Sequence, residues 1–335
     1  MSNGDISRKI YVDFLKGLCM CLVIIGHCRI PELGIRFIYL FHVPMFFFLS
    51  GLLYKERSVV EECKKSARSL LWPYFLGFLI VGVKYSIDVV RGIDITSLYR
   101  FLVSVLVVGP KIDVMGFTNL QVGAIWFLPS LFICRVVFQF FNGFALKSPL
   151  WRKKDSAGML FCIFLMAGSF FAAMTLRDGA SVLGLSQAVA AMFFYAAGVA
   201  SQKMETGAWG HKWNKISYLF VFSFASIIFF ESIDLYTMKF PVWWSGISSL
   251  AAMIFLVNGA RLMEKRQNMI VELIALVGKN SLLLLLVHYY EMMTFDWNKI
   301  SCTGNFLPLI RLSVDLVVFA VLLKIPGVKR ILRLS

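Results

Sequence analysis

Repeated apolar runs of membrane length constrain this chain more than any other feature. Ten stretches stand out: residues 10–28, 35–54, 70–90, 123–143, 157–176, 184–201, 216–235, 242–262, 280–296 and 306–324. A helix needs about 20 apolar residues to cross the hydrocarbon core. Backbone N–H and C=O groups in lipid must be satisfied within the segment, so such runs predict helices. Composition agrees, with 59% hydrophobic residues, 16% charged residues and a mean hydropathy of +0.76. A soluble domain carries about 25% charged residues. The expected fold is all-α: a polytopic integral membrane bundle of about ten transmembrane helices, forming a single domain over residues 1–335. Leu98 to Val108 is apolar but too short to cross, and Gly109, Pro110 and Lys111 follow it. We read residues 98–108 as an interfacial or re-entrant segment.

The net charge is +15. On a soluble chain that would suggest nucleic acid. Here the basic residues lie in short loops between apolar runs, which is how membrane proteins encode orientation. With the N-terminus inside, the inner segments hold 22 lysines and arginines and the outer segments 9. Counting 98–108 as a span would move Arg152, Lys153 and Lys154 outside. Both termini are therefore expected in the cytoplasm. Nucleic acid is not an expected partner, whereas anionic headgroups of membrane lipid or an anionic cofactor are. The run Gly17 to Cys28 follows basic residues as a signal peptide would, but no small-x-small cleavage site follows, so a retained first span is expected. The seven cysteines are odd in number and show neither disulfide nor metal-ligand spacing, so no metal site is expected.

Ionisable residues inside spans cost a few kcal/mol each and are functional candidates by default. In the first span Asp13 and Lys16 share a face near the cytoplasmic end. His27 lies eleven residues past Lys16, three turns on, on the same stripe and about 16 Å further out. Lys16 could bind an anion or snorkel to the interface. His42 enters the second span from the outer side, so His27 and His42 belong to the outer halves of adjacent helices. Pro44 should loosen the backbone there. Two such imidazoles can move a proton or hydrogen-bond two helices together. His288 and Glu291 are three apart and can touch, as a second half of the site or as a structural pair. Arg311 and Asp315, four apart, read as a self-neutralising pair. Arg135 could be structural or meet an anion. Glu231 and Asp234 read as interfacial. No phosphate-binding loop, dinucleotide fingerprint, zinc-protease helix or G-x-S-x-G elbow is present.

Four motif regions carry a resemblance. They are "YVDFLKGLCMCLVIIGHC" with Lys16 and His27, "FHVPMFFFLSGLLY" with His42, Ser50 and Gly51, "KKSARSLLWPYF", and the pair "AIWFLPSLF" and "GKNSLLLLLVHYY". In order along nearly the whole chain, they resemble acyltransferase family 3, and within it the fucose 4-O-acetylase-like sugar O-acetyltransferases. The resemblance implies transfer of acetyl from acetyl-CoA, a co-substrate rather than a bound cofactor, to a hydroxyl of a sugar or glycan. It also implies a bacterial inner membrane and His27 as the essential residue. Many members carry arginine where this chain has Lys16, and lysine lacks the bidentate fork. On this reading Lys16, Lys64, Lys65 and Arg68 would hold the CoA phosphates. His27 would be the base, with His42 orienting it or holding the acceptor. Ser50 is a candidate oxyanion donor, and Asp13, Arg135, His288 and Glu291 are supporting residues. The competing class is a transporter or flippase of a lipid-linked glycan, whose expected pseudo-repeats are not found.

Overall fold

A computed structural model describes residues 9–92, 95–108, 123–147, 155–176, 181–206, 233–236, 245–264, 268–297 and 306–332. The expected span 216–235 lies almost wholly outside these, as do Arg152, Lys153, Lys154, Glu231 and Cys302. The described helices are α1 (Ile10–Gly26), α2 (Glu32–Tyr39), α3 (His42–Leu52), α4 (Val59–Ser66), α5 (Trp72–Val90), α6 (Ile95–Ser104), α7 (Phe127–Lys147), α8 (Asp155–Thr175), α9 (Leu185–Thr206), α10 (Ser245–Glu264), α11 (Met269–Lys279), α12 (Ser281–Thr294), α13 (Leu307–Leu323) and α14 (Pro326–Leu332). A π turn, Ala67–Leu71, fuses α4 to α5, and a 3₁₀ turn, Gly123–Trp126, leads into α7. Among the described residues the protein is a mainly helical membrane bundle, with a short antiparallel bridge of β1 (Val107–Val108) and β2 (Ser181–Val182).

Among the described residues, five helical stretches are long and apolar enough to cross a membrane: Glu32–Leu52, Val59–Val90, Gly123–Gly143, Gly158–Thr175 and Ser245–Glu264. The other expected spans differ for identifiable reasons. Helices α1 and α13 have 17 residues each, about 25 Å of rise. Helix α9 is Ala-rich and more polar because it faces protein, not lipid; every residue from Ala190 to Ser201 is buried. The expected span 280–296 is one arm of a broken pair, with α11 and α12 bent by 71° at Asn280. Segment 98–108 is not one helix. Helix α6 starts at Ile95, stops at Ser104 and is too short to cross, and Val107 and Val108 pair with Val182 and Ser181. Pro44 sits in the first turn of α3, where its missing N–H removes no helical bond. The second span instead breaks just before, at Leu40 and Phe41.

Helix α1 is the hub. It packs on α11, α10, α3, α13 and α12, and a helix apolar on all sides must be buried this way. Glycines set the closest approaches, since lipid offers no hydrophobic drive between helices and close backbone packing must supply it. A Cβ at Gly278 of α11 would lie 2.6 Å from the amide nitrogen of Gly17 on α1. A Cβ at Gly198 of α9 would lie 2.8 Å from that of Leu52 on α3. Outward faces stay apolar: Leu79, Val83 and Val90 on α5, Leu160, Phe164 and Phe171 on α8, and Leu309, Val317 and Val321 on α13 are all exposed. That is the surface a bilayer covers.

Candidate active site

Two cavities lie at opposite ends of α1. The first, of about 270 Å³, is lined by Val23, His27, Tyr39, His42, Trp126, Asp234 and Met292 among others. His27 follows the last residue of α1 and presents its ring to this chamber. His42 opens α3 and lines the same chamber. Its Nδ1 lies 2.8 Å from the Ile38 carbonyl. A carbonyl only accepts, so Nδ1 carries the hydrogen and a neutral ring presents its lone pair at Nε2. The His42 ring also packs on Tyr39, 4.8 Å between centroids. Asp234, expected at an interface, is part of this chamber wall.

Behind His27 lies a buried ionic cluster. Arg311 on α13 forks onto Glu291 on α12, with Nε to Oε1 at 3.0 Å and Nη2 to Oε2 at 2.7 Å. Nη1 donates to the His27 carbonyl at 2.9 Å, capping the end of α1 with a cation where the helix dipole favours one. His288 places Nδ1 2.8 Å from Asp315 Oδ2 and 3.2 Å from Glu291 Oε2. The side chains of all four residues are at most 9% exposed. The expected Arg311–Asp315 pair is not formed. Each turns to a residue on α12, because the buried Glu291 and His288 need partners more than two residues of one helix need each other. The ligand atoms of His288, Glu291 and Asp315 lie within 4.8 Å of one another, a metal-like spacing in which Arg311 supplies the positive charge.

The second cavity, of about 440 Å³, is cationic. Lys16, Arg68, Arg135 and Lys279 line it with Ser50 and Ser281. Ser281 opens α12, so the donor end of that helix faces the same space, an arrangement suited to phosphate. Arg135 is held at 2.9 Å by Glu62, which Arg57 also reaches at 3.1 Å and Ser66 at 2.6 Å. Asp13 is buried, 4.0 Å from Lys16. Of the expected basic set, Arg68 lines the cavity. Lys64 and Lys65 do not; they are exposed on α4, whose buried face is Glu62 and Ser66. Ser50 lies in this cavity, eight residues and about 12 Å along α3 from His42, so it does not sit where a reaction at His27 would need an oxyanion donor.

Two helix stripes join the cavities. On α1 they are Lys16 and Met20 at the cationic end, then Val23 and His27 at the other. On α12 they are Ser281 and Leu285, then His288 and Met292, each step three or four residues and hence on one face. The stripes meet where the rings of His27 and His288 stand 5.4 Å apart. Phe127 lines both cavities and stacks on Phe46 at 5.3 Å, forming the partition. Glu62, Lys279 and Phe127 were not singled out by sequence reasoning. Glu62 and Lys279 sit in charged stretches that read as loops, and only packing turns them inward.

No curated protein and no solved structure matches the chain. A family model described as an acyltransferase domain matches residues 9–324, nearly the entire length. With its helical, lipid-facing architecture, the chain therefore belongs to acyltransferase family 3 and is a multi-pass membrane acyltransferase.

Proposed function

We propose that the protein moves an acetyl or similar short acyl group from acyl-CoA to a sugar hydroxyl on a surface polysaccharide, glycolipid or lipid-linked oligosaccharide. It does so in a bacterial inner membrane, as a fucose 4-O-acetylase-like enzyme. One observation carries this reading: a cationic cavity and a histidine chamber lie at the two ends of a single α1 stripe and share one wall. The CoA phosphates occupy the cationic end, among Lys16, Arg68, Arg135 and Lys279. The pantetheine arm runs along the stripe, about 16 Å, past Phe127. Its thioester then meets an acceptor hydroxyl in the chamber.

His27 removes the hydroxyl proton as the oxygen attacks the thioester carbon. His42 accepts a hydrogen bond at Nε2 and holds the acceptor. A transient acyl-histidine is the alternative route, and labelled acyl trapped on the protein without acceptor would distinguish it from direct attack. The deciding test is His27→Ala, assayed for acylated glycan with protein level checked in the membrane. Undiminished activity refutes the reading. Lys16→Ala should raise KM for acyl-CoA, and an unchanged KM removes Lys16 from the CoA site.

A further inference from the structure

Glu291, Arg311, His288 and Asp315 form a buried group with an unbalanced charge. Arg311 neutralises Glu291 through its two-pronged contact. Asp315 is left with His288. With a neutral imidazole the group carries one net negative charge; with a doubly protonated one it carries none. Two atoms are left over to match. Among the described residues, His288 Nε2 and Asp315 Oδ1 are buried without a hydrogen-bond partner, and an unpaired buried polar atom is costly unless it has a use. His288 is 0% exposed, so Nε2 does not meet bulk water. Since Nδ1 is engaged by Asp315, Nε2 is on the opposite edge of the ring, and the His27 ring is 5.4 Å away.

We propose that the Asp315–His288 pair is the counter-charge of His27: it stabilises the imidazolium that His27 becomes on taking the acceptor's proton. This rests on reading His27 as the base. As the acceptor oxygen bonds to the acyl carbon, the carbon–sulfur bond breaks and sulfur leaves with the bonding pair. The hydroxyl proton goes to His27, is held there beside the His288–Asp315 pair, and returns to the thiolate to give free thiol. Atoms and charge balance with no other reactant. His288 and Asp315 are thus positioning residues that act through His27. A buried carboxylate behind an imidazole has this effect in hydrolytic triads.

Other charged and titratable groups among the described residues also lie around His27. Arg311 and Cys28 lie at the end of α1, with Arg311 committed to Glu291. His42 and Tyr39 come from α3 and α2, and Asp234, whose Oδ1 accepts from the Tyr236 amide, lines the same chamber. Helices α10 and α11 bring Arg261, Glu264 and Lys279 to the other end of α1, against Tyr11, Ile10 and the Lys16 cavity, while Glu272 is exposed.

The experiment compares wild type with His27→Ala, His288→Gln, Asp315→Asn and Asp315→Glu, purified in detergent and checked for monodispersity. Rates of acyl transfer are followed at saturating acceptor in H2O–D2O mixtures. His288→Gln and Asp315→Asn should lower kcat by about 10²–10⁴-fold, the span of general acid–base contributions, with KM for acyl-CoA unchanged because the phosphates bind at the other cavity. Asp315→Glu, which keeps the charge, should recover much of the loss. The D2O dependence of the rate should differ between wild type and Asp315→Asn, since the transferred proton rests beside a buried carboxylate only in the first. Equal losses in Asp315→Asn and Asp315→Glu with the same D2O dependence as wild type would assign the pair a structural role and overturn the proposal. So would near-wild-type kcat in His288→Gln. If His27→Ala itself stays active, the reading of His27 as base fails instead.

Discussion

Replacing Gly278 by alanine tests the packing that holds the α1 stripe in place. The added Cβ would lie 2.6 Å from the Gly17 nitrogen and 2.7 Å from the Asp13 carbonyl carbon, and closer still to the Asp13 carbonyl oxygen. Ordinary contact between such atoms is about 3.5–4.0 Å, so α1 and α11 must separate by more than about 1 Å. The obstructing atoms are backbone, which has no rotamer to swing aside. The penalty should therefore sit near the upper end of the about 1–3 kcal/mol usual for overpacking. Gly17→Ala meets the same contact from the other side, with its Cβ 2.9 Å from the Gly278 nitrogen, and should lose a similar amount. Once the helices are apart, the second methyl finds room. The double variant should thus fall short of the sum by about 0.5–3 kcal/mol, the range for residues that share one contact. Reversible unfolding in mixed micelles measures all three. Since α1 carries both Lys16 and His27, acyl transfer should drop with each single variant. Wild-type stability in Gly278→Ala, or strict additivity in the double variant, would refute the close packing of α1 on α11.

Three further expectations concern the polar interior. Arg311→Leu strands the buried Glu291 carboxylate and should cost about 3–5 kcal/mol; adding Glu291→Met should recover part of it, and no recovery in melting temperature would show that Arg311 does not serve Glu291. Glu62→Gln leaves Arg57 and Arg135 facing a neutral amide and should cost about 1–3 kcal/mol, read as a lower melting temperature in detergent; an unchanged one would mean solvent already balances those guanidinium groups. Phe127→Ala removes the partition between the cavities and should cost about 3–5 kcal/mol of packing, while raising acyl-CoA hydrolysis in the absence of acceptor. A variant that is destabilised but no leakier would rule Phe127 out as the partition.

Much of this was legible one helix at a time. Apolar length and scarce charge are local properties, so the amino-acid sequence alone determined a helical membrane protein and the approximate position of the five stretches long and apolar enough to cross. Helical periodicity is also local, so it put Lys16 and His27 on one stripe, which the folded α1 keeps. What depended on neighbours was misread. Arg311 and Asp315 are four apart and seemed mutual partners, yet both are claimed by α12, because a buried carboxylate and imidazole outcompete an ion pair along one helix. Glu62, Lys279 and Asp234 lie in stretches that read as loop or interface, and tertiary packing turns them toward cavities. Helix α11 was not expected, because its apolar run is too short to cross and carries Glu272 and Lys279; only its packing on α1 makes it part of the bundle. The sequence determined what each segment is made of and which way its faces point; only the tertiary structure decided which faces meet, since contacts between residues hundreds of positions apart follow from packing geometry and not from any local pattern.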